Sequence, residues 1–189
     1  MEIGLLITLN ESIEFERVDF MADWKNIVNV KTLTLQPGPG INSYLGDFNR
    51  PATEMGAKKL GFNIRSLPPG QYSCPYHFHH EEEELFFILQ GRATLRLADQ
   101  FREVEEGDLI FIPTGPSGVH QFFNHTKENC KMLAISSRDS REVVEYPDSN
   151  KVYVSQLKKL FQAGSAVDYW KDELNPDKAW PPLIRQIND

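Results

Sequence analysis

His77–Gly91 reads HFHHEEEELFFILQG: three histidines and four glutamates stand directly before an unbroken apolar run from Leu85 to Leu89. A solvated charge run does not ordinarily lead straight into a core segment. The apolar run is short and ends at a glycine, which reads as a buried strand. In an extended chain alternate side chains share a face, so His77 and His79 point the same way. Glu84 opens the next strand and can face them after a turn. Strand parity and the spacing to Gly91 favour Glu84 over Glu83. His80, Glu81 and Glu82 read as the solvated turn between.

Outward from this stretch the chain is a series of short strands. LGFNIRSL (60–67) stops at Pro68-Pro69-Gly70, and RATLRLAD (92–99) alternates Ala93, Leu95 and Leu97 against Thr94 and Arg96. QFREVEEGD (100–108), LIFIP (109–113, read as a buried strand), VHQFFN (119–124) and CKMLAISS (130–137) follow. Phe86, Phe111 and Phe122 read as filling between the sheets. Arg65 and Arg96 lie on strands; solvation outward is the default, and an inward guanidinium would signal an anionic ligand. Short strands at even spacing, broken by Gly and Pro, predict an all-β barrel or sandwich. No helical period lies between them, which argues against a βαβ fold.

The flanks read differently. Residues 1–59 are expected to form an arm packed on the barrel through Phe15, Phe20 and Trp24. In that arm VNVKTLTL (28–35) alternates as a strand. Residues 60–137 hold the barrel, and residues 138–189 a C-terminal extension. There Ser155 would cap a short helix through Ala163, with Leu157, Leu160 and Phe161 on one face and Gly164 as its stop. NPDKAWPPLIRQIND (175–189) reads as an extended tail.

The 189 residues suffice for one core. A net charge of -7, with 27 acidic against 20 basic residues, argues against a nucleic-acid partner. Basic residues adjoin only as pairs such as Lys58-Lys59 and Lys158-Lys159. Cys74 and Cys130 make no disulfide framework and read as reduced thiols, with Cys74 a small apolar residue. MEIGLLITLNES (1–12) lacks the basic start of a signal peptide, and no apolar stretch is long enough to span a bilayer. A cytoplasmic protein without a membrane partner is expected.

Imidazoles and a carboxylate converging in a dry pocket suit Zn, Fe, Ni or Mn. A third imidazole is available from His120. Read together, Gly70–His77–His79–Glu84–Gly91 and Gly107–Pro113–Gly115–His120–Asn124 resemble the two motifs of the cupin superfamily, specifically its small single-domain bacterial members. The resemblance implies a double-stranded β-helix, a jelly-roll-like barrel, with His77, His79, Glu84 and His120 binding one divalent transition metal. Two spacings depart from the family pattern: Gly70 to His77 is one residue longer and Gly115 to His120 two longer. Both insertions fall in turns, so longer loops with unchanged ligands are expected. Each imidazole should have its second nitrogen held by an acceptor, with Gln121 or Asn124 ordering the nearby loop. His125 reads as a turn residue.

Function follows less closely. A metal-binding cupin with a small-molecule pocket fits best, as a sugar-phosphate-type isomerase or a metal-dependent oxygenase. The alternative is a non-catalytic small-molecule-binding or sensing cupin. No second carboxylate or lysine stands out as a general base. A homodimer is expected, both from the resemblance and from 28–35 as an edge for pairing.

Overall fold

The structure is a computed structural model and describes residues 24–173. Phe15, Phe20, the segment 1–12 and the tail 175–189 lie outside the described residues. In chain order the strands are β1 (Gln36–Pro37), β2 (Asp47–Asn49), β3 (Leu60–Leu67), β4 (Phe78–His79), β5 (Glu84–Gln90), β6 (Arg92–Leu97) and β7 (Gln100–Glu105). Next come β8 (Leu109–Ile112), β9 (His120–Phe123), β10 (Cys130–Ser137), β11 (Val143–Tyr146), β12 (Lys151–Val154) and β13 (Lys159–Gln162). Among the described residues the one α-helix is a single turn, α1 (Pro51–Glu54).

The strands form three sheets, in the orders β1-β2-β3-β10-β5-β8, β13-β12-β11-β4 and β7-β6-β9. Every pairing is antiparallel, as an all-β fold of short strands requires. Side-chain parity builds the core. Ile88, Phe86 and Met132 from the six-stranded sheet meet Ala93, Leu95 and Phe122 from the three-stranded one. Ala93 and Leu95 are buried and Leu97 packs against the same cluster, as the alternation of 92–99 requires.

Four expectations are corrected. LIFIP forms β8, but it is buried on one face only. Ile112 is 2% exposed, whereas Leu109 and Phe111 are 65% and 55% exposed. Phe111 is therefore not filling: it pairs with Leu85 on the outer face, while its neighbour Ile110 pairs with Phe86 within the core. Residues 28–35 are not a strand. The Asn29 side chain accepts the Lys31 amide at 2.9 Å and its carbonyl accepts the Leu33 amide at 3.0 Å, so a local turn replaces the ladder. The strands of the arm are instead β1 and β2, and β2 pairs with β3.

The predicted helix 155–163 is also absent. Val152, Tyr153 and Val154 pair with Phe161, Leu160 and Lys159 as a hairpin that turns at Lys158, whose φ is +52°. A two-turn helix with no surface to bury against is marginal in water, whereas β13 satisfies the open edge of β12.

Candidate metal centre

Three local devices bring the predicted side chains together. His77 and His120 face each other across an antiparallel bridge, the two backbones exchanging hydrogen bonds of 3.2 and 2.8 Å. His79 lies two residues on, in β4, which is held by β11. Glu84 opens β5, directly opposite Ser136 of β10. Ligand atoms of His77, His79 and Glu84 lie within 4.8 Å of one another. His120 Nε2 stands 3.2 Å and His79 Nε2 3.5 Å from Glu84 Oε2.

The outer nitrogens explain the orientation. His77 Nδ1 is 2.9 Å from the Pro75 carbonyl, and His120 Nδ1 is 3.0 Å from that of Gly118. His79 Nδ1 lies 3.5 Å from Glu142 Oε1. A proton on each Nδ1 leaves the Nε2 lone pairs of His79 and His120 aimed inward, the tautomer a metal ligand needs. The lengthened second motif supplies one of these acceptors: residues 116–118 coil into a 3-10 turn that ends on Gly118.

Electrostatics fit a cation. Burial pushes the Glu84 carboxyl up to about 7. Burial, with the charge on His77, holds His79 down at about 4 and His120 at about 3, so both imidazoles are neutral at physiological pH. Burial also works against a charged His77, but the Cys74 sulfur 3.6 Å away and Glu84 outweigh it and raise His77 to about 9. A metal on His77 would thus displace a proton. Glu84 Oε2 is buried without a hydrogen-bond partner, which costs free energy unless something else satisfies it. The donor set of imidazole and carboxylate fits a divalent transition metal.

Several neighbours escaped sequence reading. Glu142, 3% exposed, accepts the backbone amides of His80, Glu81 and Glu82 at 2.9, 3.1 and 2.7 Å. It thereby shapes the turn between the histidines and β5, and no local spacing links residues 62 apart. Cys74 is a polar neighbour of the site rather than an apolar filler. Burial opposes its ionisation, yet His77 lowers it to about 6. The Tyr146 ring stacks on His77 at 5.8 Å. Gln121 orders the preceding loop by donating to the Cys74 carbonyl at 2.7 Å. Asn124 donates to the Leu67 and Glu128 carbonyls.

Of the two strand arginines, Arg65 turns inward. Its register partner is the buried Met132, its Nη1 donates to the Ser73 carbonyl at 2.7 Å, and it lines a cavity of about 250 Å³ with Asn63 and Cys74. Arg96 lies over the Tyr76 ring at 3.5 Å and pairs with Asp99 and Asp148. His125 bonds Thr94 and Glu103, and His80 bonds Glu145, both away from the centre.

Residues 63–136 match the family model of the cupin domain. This segment is therefore similar to a cupin domain. It is 34% identical over 73 residues to an uncharacterized protein of Methanocaldococcus jannaschii, covering 36% of this chain and 57% of the relative. Over 61 residues it is 39% identical to an uncharacterized protein of Aquifex aeolicus, covering 32% of this chain and 48% of that one. The match thus spans about half the length of these curated relatives. Among solved structures, a protein of Acidithiobacillus ferrooxidans, provisionally named a sugar phosphate isomerase, superposes with a TM-score of 0.69 at 21% identity, over 76% of this chain and 96% of that one. A sugar phosphate isomerase of the cupin superfamily from Silicibacter pomeroyi gives 0.64 at 20%, over 76% and 97%. The polyketide cyclase RemF of Streptomyces resistomycificus gives 0.52 at 24%, over 60% and 79%. At these identities the likeness is one of fold.

Proposed function

We propose that this protein is a metal-dependent cupin enzyme that acts on a small oxygenated substrate, and that the reaction is a sugar-phosphate-type isomerisation. The observation that carries the reading is the convergence of His77, His79 and Glu84, with His120 3.2 Å from Glu84 and the outer nitrogens of His77 and His120 turned to carbonyl acceptors. A divalent ion held there would polarise a carbonyl or hydroxyl oxygen. The chain's own groups hold and orient. Glu142 and the Pro75 and Gly118 carbonyls set the rings, Phe86 closes the inner wall against His120, and Arg65 supplies a positive charge beside the pocket. Support for the isomerase comes from the inward Arg65 and from two fold neighbours that carry that name.

The test is elemental analysis of protein purified without added metal, beside His120→Ala. One equivalent of Zn, Fe, Ni or Mn in the wild type, and none in the variant, is expected. Full metal content in the variant would remove His120 from the site. Oxygen consumption by an iron-loaded form would replace the isomerase with an oxygenase.

A cytoplasmic homodimer completes this reading. Cys74 and Cys130 are unpaired thiols, and no helix among the described residues is long and apolar enough to cross a membrane. With 28–35 folded as a turn, the surface offered for pairing is the outer face of β5 and β8. There Leu85 pairs with Phe111, and Phe87 with Leu109.

A further inference from the structure

A cleft of about 670 Å³ opens beside the N-terminal end of β3. Arg50, Lys58, Lys59 and Arg138 line it, against two carboxylates, Glu82 and Asp139. The protein as a whole is acidic, with a net charge of -7, so this cleft runs against the general field. Each carboxylate also has a closer partner than the cations. Asp139 holds Arg141 through contacts of 3.0 and 2.8 Å, and Glu82 Oε1 accepts the Asp139 amide at 3.0 Å. Among the described residues no carboxylate lies within salt-bridge distance of the four cations.

The Arg138 side chain lies over Gly61 of β3, where a Cβ would stand 3.1 Å from its Nε and 2.7 Å from Ser136 Oγ. The wall leads to the candidate metal centre: Ser136, which lines the cleft, is the register partner of Glu84. Asn63 lines both this cleft and the Arg65 cavity, and its buried Oδ1 has no hydrogen-bond partner. An unsatisfied acceptor between a cationic cleft and a second cavity is suited to a ligand hydroxyl.

We propose that the cleft of Arg50, Lys58, Lys59 and Arg138 is a phosphoryl-binding subsite. It holds the phosphate of a small phosphorylated polyol or sugar while the other end reaches toward Glu84 and the histidines. The inference deepens the reading above and rests on it for that second end. A phosphoryl dianion is matched by several converging cations, and Arg138 supplies the planar fork that binds two oxygens at once.

The test is calorimetric titration of metal-stripped full-length protein with inorganic phosphate, which keeps phosphate on a metal out of the signal. Saturable binding is expected, with acetate at equal ionic strength binding more weakly. Arg138→Gln, and separately the exposed pair Lys58→Gln/Lys59→Gln, should weaken phosphate roughly ten-fold, the size of one lost charge-assisted contact. Circular dichroism checks each fold. Equal affinity in the wild type and both cation variants, or acetate binding as tightly as phosphate, overturns the subsite and leaves the metal reading standing. A wild type that takes phosphate with this dependence but no metal overturns the metal reading and leaves the subsite.

Discussion

Glu142 stands next to the candidate centre without being one of the four converging side chains, and its two oxygens do different work. They accept three backbone amides of the turn 80–82, and Oε1 faces His79 Nδ1. Glu142→Gln removes the charge beside His79 and, because an amide nitrogen cannot accept, at least one of the three backbone bonds. Metal affinity should fall about 10- to 100-fold, with a drop in melting temperature for the lost turn contact. Competition with a chelator reads the first and thermal unfolding the second; unchanged affinity would leave Glu142 a turn-former only. The buried imidazoles make a second prediction, for metal-stripped protein. His79 and His120 titrate near 4 and 3 when folded but near 6.5 unfolded, so acid adds protons to the unfolded chain first. Their contribution is complete above about 6.5 and is lost as pH falls toward 4. Glu84, raised by burial to about 7, acts in the opposite sense. The clean readout is therefore a difference: His79→Gln should lose less stability than wild type on acidification from about 6.5 to 4. Parallel stability curves would show that His79 titrates normally.

At the scale of elements, the turn 116–118 shows what an insertion costs and what it supplies. It lengthens the second motif, yet His120 still faces Glu84, because Gly118 lets the turn close onto Pro113. A Cβ at Gly118 would stand 1.8 Å from the Pro113 oxygen, a contact no side chain can hold. Gly118→Ala should destabilise the fold by about 2 kcal/mol or more and reduce metal content together with it, since the Gly118 carbonyl also orients His120. Chemical denaturation and elemental analysis of this variant check both. Wild-type stability would mean that the turn shifts freely. The hairpin β12–β13 carries a different lesson. Leu157, Leu160 and Phe161 share a helical face in sequence, but all are exposed in the structure, and edge pairing decides their conformation.

For the whole molecule the open question is what covers the outer face of the six-stranded sheet. Its apolar cross-strand pairs, Leu85 with Phe111 and Phe87 with Leu109, lie outside the core cluster. On the dimer reading, Phe111→Glu should convert a dimeric wild type to monomer by light scattering. Metal content should be unchanged, because Phe111 points away from Glu84 and the histidines. A wild type that scatters as a monomer, or a variant that remains a dimer, would sink the assignment of this face.

What sequence alone determined about this protein is what depends on neighbours a few residues apart. Alternation placed Ala93 and Leu95 inward, and Gly and Pro marked the strand ends. The spacing of His77, His79, Glu84 and His120 within two motifs singled out side chains that the structure brings together. Only tertiary structure decided the rest, because it depends on pairs far apart in the chain. Which face of β8 meets a partner sheet is set by β5, so Phe111 could not be told from Phe86 by composition. Glu142 reaches the turn 80–82 across 62 to 60 residues. Arg50, Lys58 and Lys59 join Arg138 only because β3 and β10 are paired, which turns scattered cations into one field.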